Sequence, residues 1–524
     1  MTLTSCLDDV QKSQITEENA FQNAGSLYKN TVASLYGYIG GSIDSEGLQG
    51  TYRGVYDFNT FTTDEAIIPT RGGDWFDGGF WQSLYLHRWA VYDEALYATW
   101  LYLYKVVGMC NYSLDKLDEY GTTLLTPDVL EKCKAEVRAI RALYYYYLMD
   151  MFGRVPLSLS SDLKVVEQAD RSKTFRFIFD ELQKCVPLLE AAHSQKAGYY
   201  YGKFTQGAAY FLLAKLALNA EVYADDNWTD NIRPDGKSIF FEVEGNTLNA
   251  WETVLAYCRK VTELGYILED DYAVNFSITN ETSEENIFTI PMDKTLYTSI
   301  FKNLFRSRHY SHGSALGMGA ENGACATLST VRKFGYATAG EDTRYGLSFY
   351  SDTVFVDGKK VLLEGDKPLV YMPLEVRLDL TGSPYEKTAG ARMSKYEIDR
   401  TSYSDGQLQS NDIVLFRYAD VLLMAAEAKV RNGDDGSKEL NMVRRRVGMP
   451  DREATLDNIL DERLLELAWE GWRRQDLVRY GLFSKAYDLR PQLPGEADNY
   501  TTVFPIPART LSLNTTLKQN YGYE

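Results

Sequence analysis

The sequence predicts a mostly α-helical protein with a large irregular region that contains small β-sheets. Apolar residues recur at helical spacing between residues 137 and 151, which indicates one long helix with a buried face. Gly153 supplies a C-terminal cap for this helix, and Pro156 prevents its continuation. From about residue 275 to residue 410, by contrast, Gly, Asn and Asp become frequent and only short β-like runs occur.

The first half of the chain consists of predicted helices joined by polar or glycine-rich segments. Residues 7–20 are polar and predict a tether, a helix begins at about 17 and ends at about 40, and residues 41–82 are irregular and aromatic. Further helices are predicted at roughly 88–109, 127–152, 174–190, 203–223 and 249–264. Alanines in 203–223 allow close helix contact, which resembles tetratricopeptide-type hairpins. These alanines are Ala208, Ala209, Ala214, Ala217 and Ala220.

In the second half, short strands precede a return to helices. The β-like runs are 286–291, 353–356 and 369–372, and the later helices are predicted at 412–432, 437–447 and 456–480. Gly433 and Gly436 mark the turn between the first two of these helices. Because no Pro/Ser-rich linker divides the chain, we predict one continuous body.

Charge argues against a nucleic-acid partner. The 524 residues contain 55 Lys and Arg against 73 Asp and Glu, a net charge of −18, and no basic stripe that could follow phosphates. The only basic cluster is Arg444-Arg445-Arg446, whose spacing favours pairing with nearby carboxylates. No apolar run approaches the roughly 20 residues that a membrane-spanning helix needs.

The six cysteines are not arranged as a metal or redox site. None lies in a CxxC pair, and the four in helical patterns are expected to be small buried hydrophobes. These four are Cys110, Cys133, Cys185 and Cys258. Cys6 differs, because Leu3-Thr4-Ser5-Cys6 fits the lipobox of bacterial lipoproteins, in which the cysteine thiol takes a diacylglycerol. The alternative is an accidental cysteine near the terminus.

Other candidate chemistry favours structural roles. Glu462, Glu466 and Glu470 recur every four residues, but no Glu-x-x-His motif accompanies them, and Glu470 is expected to pair with Arg473 and Arg474. His309 and His312 lack the further ligands that zinc needs.

Residues 225–230 are rich in oxygen ligands but lack the glycine and the glutamate of an EF-hand loop, so a solvated loop is predicted and calcium remains an alternative. No nucleophile elbow, P-loop or dinucleotide fingerprint occurs, and no cofactor is predicted.

The glycine-rich segment 63–81, called the aromatic loop below, is the candidate ligand site. A surface loop with two tryptophans and two phenylalanines needs a reason, and sugar rings stack on indole while their hydroxyls pair with Asp and Arg. The predicted contact residues are Arg71, Asp74, Trp75, Asp77 and Trp81. The alternative is that both tryptophans fold inward beneath the loop.

Four motifs occur in order along the chain. The first is the pattern RAxRAxxYxxLxxxFGxVPL, which begins at Arg138. The second is DIVLFRYADVLLMAAEA at 412–428, and the third is ERLLELAWEGWRRQDLVRYG at 462–481. The closing segment is FPIP at 504–507 with QNYGY at 519–523. Together these motifs resemble the SusD/RagB family, surface lipoproteins of Bacteroidetes that capture glycans for an outer-membrane transporter.

The resemblance implies a lipid anchor and tether at 1–16, a helical region of tetratricopeptide-like hairpins at 17–274 that includes the aromatic loop, and an irregular then helical region at 275–524. It makes Cys6 the favoured lipidation site, with Asp8 and Asp9 resembling an acidic export signal. It also implies that Arg306, His309 and Tyr310 from the irregular region face the aromatic loop across the glycan site.

The function that the resemblance implies is non-enzymatic capture of an oligosaccharide or polysaccharide. The protein would be anchored in the outer membrane, facing the exterior, and would deliver glycan to a SusC-like TonB-dependent transporter. A peptide-binding lid and a carbohydrate-active enzyme remain alternatives. Asp74 and Asp77, three residues apart in a loop, are poorly suited to the fixed spacing of a glycosidase pair.

Overall fold

A computed structural model describes residues 17–162, 164–296, 299–402 and 405–523. Cys6, Asp8, Asp9 and the predicted tether before residue 17 lie outside the described residues. Within these ranges no helix is both long enough and apolar enough to cross a bilayer.

The first half of the chain is mostly helical and contains five short strands. Its helices are α1 (Glu17–Ala20), α2 (Ala24–Tyr28), α3 (Ser34–Tyr36), α4 (Val55–Thr60), α5 (Phe80–Tyr85), α6 (Glu94–Leu124), α7 (Pro127–Phe152), α8 (Arg171–Cys185), α9 (Gln206–Leu218), α10 (Ala220–Tyr223) and α11 (Ala250–Glu263). Its strands are β1 (Ala66–Ile67), β2 (Val155–Pro156), β3 (Gln168–Ala169), β4 (Phe240–Val243) and β5 (Asn246–Asn249).

The second half contains most of the strands. Its helices are α12 (Lys302–Ser307), α13 (Tyr310–Ala315), α14 (Leu328–Lys333), α15 (Tyr345–Ser348), α16 (Tyr418–Asn432), α17 (Ser437–Arg446), α18 (Leu456–Leu467), α19 (Arg473–Arg479) and α20 (Ala508–Leu513). Its strands are β6 (Asn286–Ile290), β7 (Cys325–Ala326), β8 (Phe349–Tyr350), β9 (Asp352–Thr353), β10 (Phe355–Val356), β11 (Lys359–Lys360), β12 (Val370–Tyr371), β13 (Arg392–Met393) and β14 (Ile413–Arg417).

The strands form small antiparallel ladders, as the sequence predicts for the irregular region. In the described residues each ladder has two strands: β1 with β7, β2 with β3, β4 with β5, β6 with β14, β8 with β13, β9 with β12, and β10 with β11. The predicted runs 286–291 and 369–372 correspond to β6 and β12, and 353–356 divides into the end of β9 and β10.

The centre of the helical half is the hairpin of α6 and α7. Asp93 caps the start of α6, and Pro127 lies in the first turn of α7. Gly121 of α6 allows close contact, because a Cβ there would lie 2.4 Å from a methyl carbon of Leu130 in α7. The four tyrosines at 144–147 are all buried, and Gly153 ends α7 with φ of +66°.

Helices then pack in sequence as hairpins, α7 on α8, α8 on α9, and α9 on α11. From α11 the packing continues onto α16 and then α17 in the second half of the chain. One hydrophobic core accordingly includes residues as distant as Phe21 and Ile506. It crosses the predicted boundary at residue 275, which agrees with the prediction of one continuous body.

Several predicted helix limits are wrong. The helix predicted at 88–109 begins at Glu94 and continues to Leu124, and the helix predicted at 17–40 is three short helices, with a π-helical turn at Lys29–Ala33. The first part of 412–432 is strand β14, because the run Ile413–Arg417 pairs with β6 and is buried on both faces.

The helix predicted at 456–480 is also interrupted. It ends at Leu467 and resumes at Arg473, with φ of +68° at Trp469 and +77° at Gly471. The backbone N–H of Trp469 donates to a carboxylate oxygen of buried Glu65 at 2.8 Å. This long-range bond takes the place of a helical hydrogen bond, so the interruption depends on a residue some four hundred positions earlier in the chain.

Candidate functional site

The aromatic loop is fixed at its start by main-chain pairing with distant segments. Strand β1 pairs with β7, and Thr70 forms an isolated bridge with Asp379. The loop then turns through positive φ values at Gly72, Trp75, Asp77, Gly78 and Gly79. Such a backbone requires support from its surroundings where the residue is not glycine.

Arg71 provides part of that support from beneath the loop. Its side chain is fully buried and donates to the carbonyl oxygens of Gly323 at 3.2 Å, Glu386 at 3.1 Å and Ala389 at 2.9 Å. Burial, with the neighbouring Arg392, lowers the pKa of Arg71 to about 9. The prediction that Arg71 contacts a glycan directly is therefore wrong, since its donors are used inside the protein.

Trp81 is also an interior residue, as the alternative interpretation of the loop proposes. It is 1% exposed, and its indole N–H donates to Asp77 Oδ2 at 2.8 Å. Arg53 donates to the same oxygen at 2.6 Å and lies over the indole ring. Direct stacking of a sugar on Trp81 is excluded by this burial, and the Asp77 oxygen that faces it is already paired.

Trp75 is half-buried and stands on edge against its neighbours. Its indole N–H donates to the Glu321 carbonyl at 2.8 Å, and its ring meets Trp81 edge-on at 5.7 Å between centroids. Gly323 leaves room for the indole, because a Cβ there would lie 2.5 Å from the ring. A glycan contact at Trp75 stays a prediction, restricted to the part of the ring that remains exposed.

Of the three partners expected from the irregular region, two are buried. Arg306 is 1% exposed and holds both oxygens of Asp57 at 2.8 Å, so the predicted glycan contact is wrong. His309 is 6% exposed, and its Nδ1 accepts from the N–H of Ser311 as the cap of α13. Burial, then nearby Arg392 and Arg71, lower the pKa of His309 to about 4. It is therefore neutral at pH 7 and has little surface to offer a ligand.

Tyr310 and Asp74 come together at the surface with Lys387, a residue that the sequence analysis missed. We call these three residues the Tyr310 patch. The Tyr310 hydroxyl donates to Asp74 Oδ2 at 2.6 Å, and Lys387 Nζ donates to the same oxygen at 2.7 Å. Tyr310 is 42% exposed, and the Asp74 side chain is 41% exposed. These two bonds, from Lys387 and then from Tyr310, lower the pKa of Asp74, so it is ionised at neutral pH.

An open groove of about 690 Å³ lies beside the patch, between α13 and the hairpin of β10 and β11. Its lining residues are Tyr310, Ser311, Ser314, Ala315, Val356, Asp357, Lys359, Lys360, Val361 and Leu362. The Asp357-Gly358 turn is a strong local signal for a hairpin and could have revealed it from sequence. Nothing local could have placed Lys387 or this hairpin beside Tyr310, because both contacts span distant parts of the chain.

The glutamates at 462, 466 and 470 belong to a buried ion-pair network. Arg344 contacts Glu462 at 2.7 Å and Glu466 at 2.8 Å, and Arg417 contacts Glu470 at 2.8 Å. The predicted pairing of Glu470 with Arg473 and Arg474 is wrong. Those arginines instead hold Asp64 and Asp150, both at 2.7 Å. Each member of the 444–446 arginine run pairs with a carboxylate, as predicted.

Neither candidate metal region has a ligand set in the described part of the chain. No group of three or more His, Cys, Asp or Glu side chains there is arranged to hold an ion. His312 Nδ1 instead contacts the Tyr371 hydroxyl at 3.1 Å. In the 225–230 loop, Asp225 accepts from the N–H of Asn227, and Asp226 accepts from Ser172. The five described cysteines are buried and unpaired.

Comparisons with known proteins agree with this architecture. A family model described as the SusD family matches residues 378–523, and one described as starch-binding associating with outer membrane matches residues 52–218. The starch-binding protein SusD of Bacteroides thetaiotaomicron is 25% identical, with 100% of this chain and 96% of that protein covered. SusD-like protein P25 of Formosa agariphila is 24% identical over 81% of this chain and 79% of that protein.

The fold also matches solved structures. Surface glycan-binding protein A from Bacteroides thetaiotaomicron, in complex with laminarihexaose, superposes with a TM-score of 0.70 at 20% identity. The match covers 95% of this chain and 99% of that one. Two family models in separate parts of the chain, a full-length relative and a shared fold agree with one another. Along its length the chain is similar to proteins of the SusD family.

Proposed function

We propose that this protein binds oligosaccharides at the Tyr310 patch and the groove beside it. The observation that carries the proposal is the exposed Tyr310 ring at the edge of an open groove of about 690 Å³, with its hydroxyl donating to Asp74. The relatives support it, since one is a starch-binding protein and one structure holds laminarihexaose.

Binding would combine aromatic contact with hydrogen bonds. The Tyr310 ring offers a flat face to the C–H surface of a sugar, while Asp74 accepts from hydroxyls and Lys387 donates to them. Arg71 and Trp75 fix the loop before ligand arrives, which lowers the ordering cost of binding. For such a shallow, solvated site we expect a Kd on the order of 10 μM to 1 mM, or roughly −4 to −7 kcal/mol.

The same geometry is poorly suited to hydrolysis. A general acid must hold a proton near neutral pH, whereas Lys387 and Tyr310 keep Asp74 ionised. The loop's other aspartate, Asp77, accepts from Arg53 and Trp81. We therefore propose equilibrium capture in which no bond is broken, in line with relatives that are named as binding proteins.

Substitution of Tyr310 tests the site. Tyr310→Ala should weaken binding about thirtyfold, since a central aromatic contact contributes about 2 kcal/mol, whereas Tyr310→Phe keeps the ring and should lose less. Tyr92→Ala removes an 81% exposed tyrosine elsewhere and is the matched control. Calorimetry against panels of oligosaccharides and peptides gives affinities, and chromatography of the incubated sugars reports turnover.

Unchanged affinity in folded Tyr310→Ala would move the site elsewhere. Peptide binding without glycan binding would favour the peptide-binding alternative, and shortened oligosaccharides would favour the enzyme alternative.

We further propose that the protein is anchored in the outer membrane through Cys6, faces the exterior and passes glycan to a SusC-like TonB-dependent transporter. The lipobox match of Leu3-Thr4-Ser5-Cys6 and the family support this. In a Bacteroidetes host, labelled palmitate should enter the full-length precursor but not its Cys6→Ala variant, and a large β-barrel protein should co-purify with the labelled form. Label on the variant, or a membrane fraction without that partner, would contradict the corresponding part of the proposal.

A further inference from the structure

We infer that the glycan bound at the Tyr310 patch is acidic, carrying carboxylate or sulfate groups that lie in the groove between α13 and the β10–β11 hairpin. This inference rests on the proposed function and adds the chemical class of the ligand. Buried positive charge beneath the site lacks carboxylate partners among the described residues.

Three buried arginines lie near the patch without a salt bridge in the described part of the chain. Arg71 donates to three main-chain carbonyls, and Arg392 donates to the carbonyls of Gly390, Ser307 and Lys387. Arg308 is fully buried, and only its Nε has a partner, a carbonyl oxygen at 3.1 Å. Both terminal nitrogens of Arg308 are buried without a hydrogen-bond partner.

Buried arginines elsewhere in the described residues are mostly neutralised. Arg306 pairs with Asp57, Arg417 pairs with three glutamates, and Arg479 pairs with Glu427 and Asp476. Two other buried arginines, at 154 and 171, also lack a salt bridge, but they lie together around Trp228. A cation without a carboxylate partner is costly to bury, so three in one place require an explanation beyond packing.

The three arginines lie near the segment that leads into α13, and α13 forms one wall of the groove. Arg308 is two residues before α13, and Arg392 donates to the carbonyl of Ser307 just before it. Arg71 donates to the carbonyl of Gly323, whose N–H donates to the carbonyl of Arg306.

The pKa values of two histidines in that region are lowered in part by these arginines. Burial is the main cause of the low pKa of His309, and Arg392 and Arg71 lower it further. For His312 burial is again the main cause, and Arg308 adds to it. Both histidines are therefore neutral at pH 7, so the excess positive charge behind this wall is that of the arginines.

The rim of the groove is also positively charged. Lys359 and Lys360 lie exposed on the opposite wall and have no salt bridge in the described residues. Two carboxylates near the groove are paired, Asp74 with Lys387 and Asp357 with Arg400. A positive groove on a protein of net charge −18 is a local exception. Its low-dielectric wall would strengthen attraction for an anionic sugar, whereas a neutral glycan gains nothing from it.

Matched oligosaccharides test the inference. Calorimetry at low salt would compare oligogalacturonate hexamer and a sulfated galactan hexamer with two neutral hexamers, maltohexaose and laminarihexaose. We expect at least one acidic hexamer to bind tenfold or more tightly than either neutral one. Its affinity should fall several-fold between 25 and 300 mM NaCl, because salt screens exposed charges. The two acidic arms distinguish carboxylate from sulfate.

The lysines of the hairpin supply a variant that leaves the interior unchanged. Lys359→Ala combined with Lys360→Ala should reduce the affinity for the acidic hexamer about tenfold and remove most of its salt dependence. Lys173→Ala combined with Lys184→Ala removes the same charge from exposed positions on α8 and should change neither quantity.

The outcomes separate this inference from the proposed function. If neutral hexamers bind in a Tyr310-dependent way and acidic ones bind no tighter, the inference is wrong while the proposed function stands. If no hexamer of either kind binds, both fall. If acidic hexamers bind equally well to the Lys359/Lys360 and the Lys173/Lys184 variants, the groove is not the acidic site and the inference is overturned.

Discussion

Two arginines of the predicted glycan site support the loop from inside the protein. Arg71 saturates three carbonyl oxygens from two other segments, and Arg306 neutralises Asp57. Their residue type is correct for sugar recognition, but burial assigns them to positioning. Tyr310 and Asp74, by contrast, keep exposed surface at the proposed site.

Arg71→Met tests this positioning role. The substitution removes the donors for buried carbonyls of Gly323, Glu386 and Ala389, so we expect a loss of about 3 kcal/mol in unfolding free energy. Urea unfolding measures it. Arg377→Met, at an exposed position, is the control and should change stability by less than about 0.5 kcal/mol. Equal stability of the two variants would show that the loop does not depend on Arg71.

At the scale of elements, local periodicity and long-range contacts compete at the family signatures. Helix α7 keeps the limits that periodicity predicts, because both of its ends carry local signals, Pro127 at the start and Gly153 at the end. The helix predicted for the third motif is interrupted between α18 and α19, where the Glu65 carboxylate accepts a hydrogen bond from the N–H of Trp469. The second signature begins as strand β14, because β6 offers a partner for its apolar run.

At the scale of the molecule, buried ion pairs connect the helical and the irregular regions. Arg344 joins the segment before α15 to Glu462 and Glu466 of α18, and Arg417 joins β14 to Glu285 before β6 and to Glu470 after α18. Such pairs make the assembly sensitive to loss of any one partner, since the remaining charge is left buried.

The stability of the protein should therefore fall at acidic pH. Burial alone would raise the pKa of Glu427, but Arg479 and Arg431 outweigh it and lower the pKa to about 2. An acid with a depressed folded pKa stabilises the fold above its unfolded pKa, near 4.5, and this stability is lost as pH falls towards 2. The shift corresponds to about 3 kcal/mol from Glu427 alone. Urea midpoints measured from pH 7 to pH 2.5 should decline below pH 5.

Glu427→Gln measures how much this residue contributes to the loss of stability at acidic pH. The variant should be less stable at pH 7 by roughly 3–5 kcal/mol, because Arg479 and Arg431 each lose one carboxylate partner, and its decline below pH 5 should be shallower. Glu167→Gln, at an exposed position, should follow the parent curve. A parent whose midpoint is constant down to pH 3 would contradict the assignment.

The sequence by itself determined the helical class, the long α7 helix and the resemblance to the SusD family. These follow from local causes, because helix periodicity, glycine and proline signals and ordered motifs are contained in continuous segments. The family resemblance implies that the aromatic loop and the irregular region face each other. Asp74 of the loop and Tyr310 of the irregular region do meet at the surface.

Only the tertiary structure decided which aromatic and charged side chains of the aromatic loop and its neighbours stay exposed. Trp81 points inward because Asp77 and Arg53 hold it, and Trp75 fits because Gly323 leaves space beside it. Lys387 joins the patch through a fold contact with no local signal. Exposure of a side chain depends on which distant segments pack against it, and a single sequence does not record those contacts.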